Sequence, residues 1–286
     1  MELQRPARYV ATVVALATAL AALSFAALRL QPVGQTSLVY PATGLGAALL
    51  WGFGVRWWPA VFLAQFVLSY RTGNPPLVAS FVATIEMLVI LIFCAVVIHH
   101  RVSREFERLR DLGIFVAAVF LTPILGGLIA GVGSQIFEKL NTETLVADVL
   151  SFWLSDFVSM LIFVPLVLGW RKWPFRSRIH FQRWLALAVL LMLLGAAIAE
   201  RGEPASNTLF LLLPIVVFTA LVAGIPGAAA AGGILLFILV GIGSMQHLER
   251  ADAIIRVVFI GTATATGYVL AVVWREREHG ASRLFH

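Results

Sequence analysis

Long apolar runs separated by short polar connectors repeat along the whole chain. They cover 9–28, 38–55, 57–70, 77–98, 112–136, 148–169, 184–199, 208–224, 226–244 and 253–274. A helix that crosses a bilayer needs about 20 apolar residues, with a range of roughly 17 to 25, and most of these runs fit it. Two pairs are short and joined by almost nothing: 38–55 with 57–70, and 208–224 with 226–244. Each pair reads either as a tight hairpin or as one crossing plus a re-entrant piece. The pattern therefore predicts an all-α polytopic bundle of about eight to ten transmembrane segments.

The first short pair shows how such a break is written. Tyr40-Pro41-Ala42-Thr43-Gly44 opens it, and Gly54-Val55-Arg56-Trp57-Trp58-Pro59 divides it. Arg56 and the two tryptophans suit a membrane–water interface, where guanidinium and indole groups settle. Pro59 suits the first turn of the returning helix, where its missing N–H costs nothing.

Composition turns this pattern into a class. Of the 286 residues 60% are hydrophobic and 13% charged, and the mean hydropathy is +0.92. A soluble chain of this length cannot bury so much apolar surface, so lipid must solvate much of it. No linker or low-complexity tract divides the chain, which reads as one membrane domain over 9–274, with an N-terminal segment 1–8 and a tail 275–286. The first run is followed by Arg29-Leu30-Gln31-Pro32 rather than a small-residue cleavage pattern, and reads as a retained helix.

The net charge of +6 does not point to nucleic acid, because no basic stretch carries the interleaved aromatics that stack bases. Cationic side chains accumulate in the cytoplasmic loops of any membrane protein. Here the connectors 99–111 (Arg101, Arg104, Arg108, Arg110) and 171–183 (Arg171, Lys172, Arg176, Arg178, Arg183) are the most basic. Placing both inside also puts Arg5, Arg8, Arg56, Arg275, Arg277 and Arg283 inside. Arg29, Arg71, Lys139, Arg201 and Arg250 fall outside. Fifteen against five predicts cytoplasmic termini, and this parity does not change if either short pair fails to cross.

Several motifs in order resemble the membrane-associated sensor domains of the first MASE class, integral-membrane input modules of bacterial signalling proteins. They are Tyr40-Pro41-Ala42-Thr43-Gly44-Leu45-Gly46, Gly54-Val55-Arg56-Trp57-Trp58-Pro59, Gly73-Asn74-Pro75-Pro76 with Thr84-Ile85-Glu86, Phe152-Trp153-Leu154-Ser155-Asp156 with Val164-Pro165-Leu166, Leu213-Pro214, and Gly224-Ile225-Pro226-Gly227-Ala228. The chain departs from the family pattern at Tyr40, where Trp is usual, and at Phe157, where a small residue is usual. An Arg-Phe-Gly element is replaced by Val222-Ala223-Gly224. The resemblance implies a multi-pass protein of the bacterial inner (cytoplasmic) membrane. It also implies a signalling partner such as a histidine kinase or a cyclic-di-GMP enzyme, or a homodimer, and an unidentified small-molecule ligand. The residues after Trp274 are too few for an output domain, so either a separate output protein or a longer chain is expected.

Candidate chemistry is sparse. Glu86 and Asp156 are carboxylates within apolar runs, where a charge is costly and is expected to face the bundle interior. They read as a ligand or proton site, or as polar clamps between helices. Arg256 is the one intramembrane cation and is expected either to pair with Asp156 or to snorkel to the outer interface. Trp153 shares a helix face with Asp156 and is either a pocket wall or an anchor. Thr43 and Gly44 start the second run, where free N–H groups could attract an anion or simply be capped. Gly127 and Gly131 allow close helix approach. The alternating Thr262, Thr264 and Thr266 are expected to bond their own backbone.

No metal site and no cofactor are expected. Cys94 lies deep in an apolar run, and His99-His100 have no third ligand nearby. No nucleophile–base pair survives inspection, so an enzyme is not expected. The leading function is a sensory input module. The alternative is a secondary transporter built on broken helices and the carboxylates Glu86 and Asp156, although the two halves of the sequence show no clear repeat.

Overall fold

A computed structural model describes residues 4–29, 40–138, 142–169, 178–200, 208–242 and 250–283. Among these residues there is no strand, and nine α-helices carry the fold. They are α1 (Gln4–Arg29), α2 (Pro41–Phe53), α3 (Trp58–Arg71), α4 (Pro76–His99), α5 (Leu109–Glu138), α6 (Thr142–Gly169), α7 (Arg178–Glu200), α8 (Leu213–Leu235) and α9 (Arg250–Arg283). Seven helical stretches are long and apolar enough to cross a membrane, and the protein is an all-α multi-pass membrane protein. Lys139, Arg171, Lys172, Arg176 and Arg201, which enter the expected orientation, lie outside the described residues.

The helices begin and end where local chemistry dictates. Prolines occupy the first turns of α2, α3, α4 and α8, where a missing N–H leaves nothing unsatisfied. Gly54, with φ of 110°, ends α2 in a conformation that L side chains rarely adopt. A single 3-10 turn, Val55–Trp57, then leads into α3. Both arms are short, 13 and 14 residues.

The second short pair is also a hairpin, because α8 consists of two helical arms joined across a kink. Gly224 has φ of 66° and ψ of −156°, and the chain reverses there. A Cβ on Gly227 would stand 2.5 Å from the Thr219 carbonyl oxygen. In an unbroken helix residues eight apart are separated by about 12 Å. A Cβ on Gly267 would touch Ala228 and Ala220 together, so α9 packs against both arms. The 32-residue apolar stretch Leu209–Val240 is thus two antiparallel segments, not one long crossing.

Both hairpin tips lie at the end of the bundle that holds the 100–108 connector, called here the basal end. Tyr9 of α1 stacks on Trp57 with centroids 5.4 Å apart and donates to the Arg56 carbonyl. Gly224 lies beside Arg275 near the end of α9, and Gly169 meets Pro226. Trp51 fills the basal core, with Phe93, Phe106 and Phe115 rings between 5.8 and 6.3 Å away.

A repeat absent from the residue identities is visible in this architecture. Long helix, hairpin, long helix occurs twice, as α1–α4 and as α7–α9, and one constant offset carries Gly54 to Gly224 and Glu86 to Arg256. In both copies the first helix packs on the second arm of its hairpin. Val13 and Ala17 of α1 meet Ala60 of α3, and Gly195 of α7 meets Ile238 beyond the second arm of α8. α5 and α6 join the two copies.

Candidate functional site

Halfway through the bundle, the buried start of α2 meets α4 and α6. The α2 start is fully buried at Pro41, Ala42, Thr43 and Gly44. Gly44 is the reason it can approach: a Cβ there would collide with the carbonyl of Ser159. The backbones of α2 and α6 therefore touch. Two residues further along, a Cβ on Gly46 would fall between Val61 of α3 and Ile90 of α4.

This approach gathers the buried polar side chains. Thr43 Oγ1 donates to Glu86 Oε2 at 2.8 Å, and the Asp156 carboxyl lies close to the same side chain. Tyr40 stands within electrostatic range of both carboxyls, and its backbone N–H donates to Ser159 Oγ at 3.1 Å. Asp156 is 1% exposed, and its Oδ2 has no hydrogen-bond partner. The structure brings Glu86, Asp156 and Thr43 together, with Gly44 at the α2–α6 contact. Of the N–H groups at the α2 start, expected to favour an anion, that of Thr43 bonds the Tyr40 carbonyl at 3.2 Å.

Gln65 belongs to the same layer. Val61 marks where α3 meets Gly46 and Ile90, and Gln65 lies one turn further from the basal end on that face. Thr43 and Glu86 lie one turn further in the same direction on α2 and α4. Gln65 is 0% exposed, yet neither its amide nitrogen nor its oxygen has a partner. Its one sequence signal is a polar residue within the apolar run 57–70, and a neutral amide stands out there far less than a charge.

Arg256 does not join Asp156. Its Nη1 donates to the Leu239 carbonyl at 2.9 Å, on the π-helical turn Leu236–Ile242, and its charged neighbour is Asp252. It is buried to 1% exposure and does not snorkel. The reason is rotational. α6 meets α9 through Val158, where Gly261 packs, and Asp156 lies two residues away, about 200° around the helix.

Trp153 also leaves the cluster. Its Nε1–H donates to the Phe120 carbonyl at 2.8 Å, and its ring packs on Phe120 and Phe157. It pins α5 to α6 as an anchor. Gly127 brings α5 within reach of the Val149 carbonyl. Thr262 and Thr266 bond their own backbone, but Thr264 is buried with an unpartnered hydroxyl. His99 and His100 are exposed and pack edge to face. Among the described residues no three metal-ligating side chains converge.

A groove of about 730 Å³ lies elsewhere, between α5 and α9, lined by Leu112, Val116, Phe120, Ala265 and Val269. It carries no charged group and faces outward from the bundle.

From the cluster, one route of direct contacts runs to the basal end. α6 carries both Asp156 and Leu161, and the Leu161 carbonyl accepts a 2.7 Å bond from the buried Tyr268 hydroxyl on α9. At the foot of α9, Glu276 Oε1 accepts the Leu109 N–H at 3.1 Å, and Arg275 reaches the Glu105 carbonyl at 3.5 Å. Both tie α9 to the connector between α4 and α5.

Comparison with known families gives one match. The family model MASE1 fits residues 9–278. No curated protein and no solved structure matches the chain.

Proposed function

The chain belongs to the MASE1 family of membrane sensory modules, and on that premise we propose that it receives a signal in the Thr43–Glu86–Asp156 layer and relays it through α9. The observation that carries this reading is the double role of α6. It holds Asp156 in the polar layer and, through Leu161, holds Tyr268 of α9. α9 is 34 residues long, about 50 Å at the helical rise, and exceeds the roughly 30 Å of a hydrocarbon core. A shift of α6 against α2 therefore has a rigid element to act on, and that element ends beside the connector at Leu109.

In this reading the basal end faces the cytoplasm of a bacterial cell, as the arginine bias favours. The output partner is a histidine kinase, a cyclic-di-GMP enzyme or a second copy of the chain. Asp156, Glu86, Thr43 and Gln65 form the receiving layer, and Gly44 provides the close contact at which α6 shifts against α2. Trp153 holds the α5–α6 seam, and Arg256 holds the hairpin of α8 against α9.

The carrier reading loses one support. Gly224 reverses the chain at a hairpin tip, so α8 is not a helix broken in mid-membrane.

The test is genetic. Cells whose own copy carries Glu86→Gln or Asp156→Asn are read for cyclic di-GMP content and for kinase phosphotransfer. A changed output in at least one assay is expected. Unchanged outputs together with lost uptake of a solute would replace the sensor with a carrier.

A further inference from the structure

Two carboxyl groups in the middle of a membrane protein must either hold protons or have positive charge near them. The α2 N-terminus supplies about half an elementary charge, which is too little for two carboxylates. Tyr40 is the other titratable group at the layer. α3 contributes the neutral Gln65. α9 offers no cation to the layer, because Arg256 bonds to Leu239. The acidic groups on the neighbouring elements lie elsewhere: Asp111 of α5 pairs with Ser103 at the basal end, and Asp252 stands beside Arg256.

Hydrogen counting leads to the same deficit. The Thr43 hydroxyl has one proton and gives it to Glu86. No proton is left for the nearby Asp156 carboxyl, and oxygen facing oxygen there is attractive only if a proton or another cation sits between them. Asp156 Oδ2 and both polar atoms of Gln65, all buried, are without partners. Gly44 on Ser159, and Gly46 against Val61 and Ile90, bring α2 close to α6, α3 and α4 around these groups. The donors are all oxygens, which suits a hard cation.

We propose that Thr43, Glu86, Asp156 and Gln65 together bind one small monovalent cation, a sodium ion or a hydrogen ion, between α2, α3, α4 and α6. This rests on the sensory reading above and gives it a ligand class: the module reports the sodium or hydrogen-ion activity that reaches the middle of the bilayer. Occupancy draws α6 toward α2 and α4. Vacancy leaves the two carboxyls to repel each other and pushes α6 toward α9.

The purified full chain in detergent tests it, with no partner present. Binding of radioactive sodium is measured against competing lithium, potassium and choline, and thermal midpoints are followed from alkaline to mildly acidic buffer. A sodium site gives saturable binding, reduced more than tenfold in Glu86→Gln and in Asp156→Asn and weakened in Gln65→Leu. A hydrogen-ion site gives no sodium binding, but a midpoint that rises by several degrees on acidification and loses that rise in the Glu86→Gln, Asp156→Asn double variant. Sodium binding or an acid-dependent rise that survives in these variants overturns the proposal. If the double variant does not fold, the wild-type chain decides alone: no sodium binding together with a midpoint insensitive to acidification also overturns it. A changed signalling output in cells alongside that negative result would leave the sensory reading standing without this ligand.

Discussion

Thr43 on α2 gives its only hydroxyl proton to Glu86 on α4, at 2.8 Å, close to Asp156 on α6. One short side chain thus ties α2 to α4 where both approach α6. Replacing it with the near-isosteric Val removes the donor and leaves buried carboxyls without it. Thr43→Val is expected to cost about 1–3 kcal/mol, with Thr43→Ser recovering most of the loss. Thermal unfolding of the purified chain in detergent reads both.

The approach of α2 to α6 depends on Gly44 having no Cβ. Gly44→Ala must push the helices apart at the Ser159 carbonyl, and overpacking of this kind costs about 1–3 kcal/mol. Gly113→Ala is the matched comparison. Nothing lies within 4 Å of a Cβ there, and Ala is the better helix former by about 1 kcal/mol. Opposite shifts of the thermal midpoint are expected for the two substitutions.

Gly224 turns the chain between the arms of α8 in a backbone region that only glycine adopts freely. Gly224→Ala is expected to cost about 1–3 kcal/mol. Its reporter is the hairpin itself: protease sensitivity near residues 220–230 should rise before the rest of the molecule unfolds.

Tyr268 links α9 to α6 through one buried hydrogen bond. Tyr268→Phe is expected to cost only about 0.6–1.7 kcal/mol, the range for such bonds within membranes. It should nevertheless weaken the effect of Asp156→Asn on signalling output, because the two act along one route. A double-mutant comparison in cells measures that coupling, and strictly additive effects would place Tyr268 outside the route.

Hydropathy made much of this molecule legible. Each apolar run became a helix, the Pro and Gly interruptions became helix starts and turns, and intramembrane carboxylates marked the polar layer. Rotation about helix axes was not legible. Asp156 and Arg256 both lie in apolar runs at compatible depths, but only packing fixes which face of α6 meets α9. Trp153 shares a side of α6 with Asp156 in projection, yet the Phe120 carbonyl draws it to α5. Gln65 escaped notice because a neutral amide costs little in a hydropathy sum, although buried without partners it is as telling as a charge. The structural repeat stayed hidden because its two copies share topology and turn positions rather than residues.

The central claim is that charge at Glu86 and Asp156 sets the position of α9 at the basal end. Spin labels at positions 110 and 277, in a chain with Cys94→Ser and reconstituted in nanodiscs, report that distance directly by pulsed electron resonance. The account predicts that Glu86→Gln and Asp156→Asn, together, shift the distance distribution, and that Tyr268→Phe reduces the shift. Superimposable distributions in the wild-type and doubly substituted chains would contradict it.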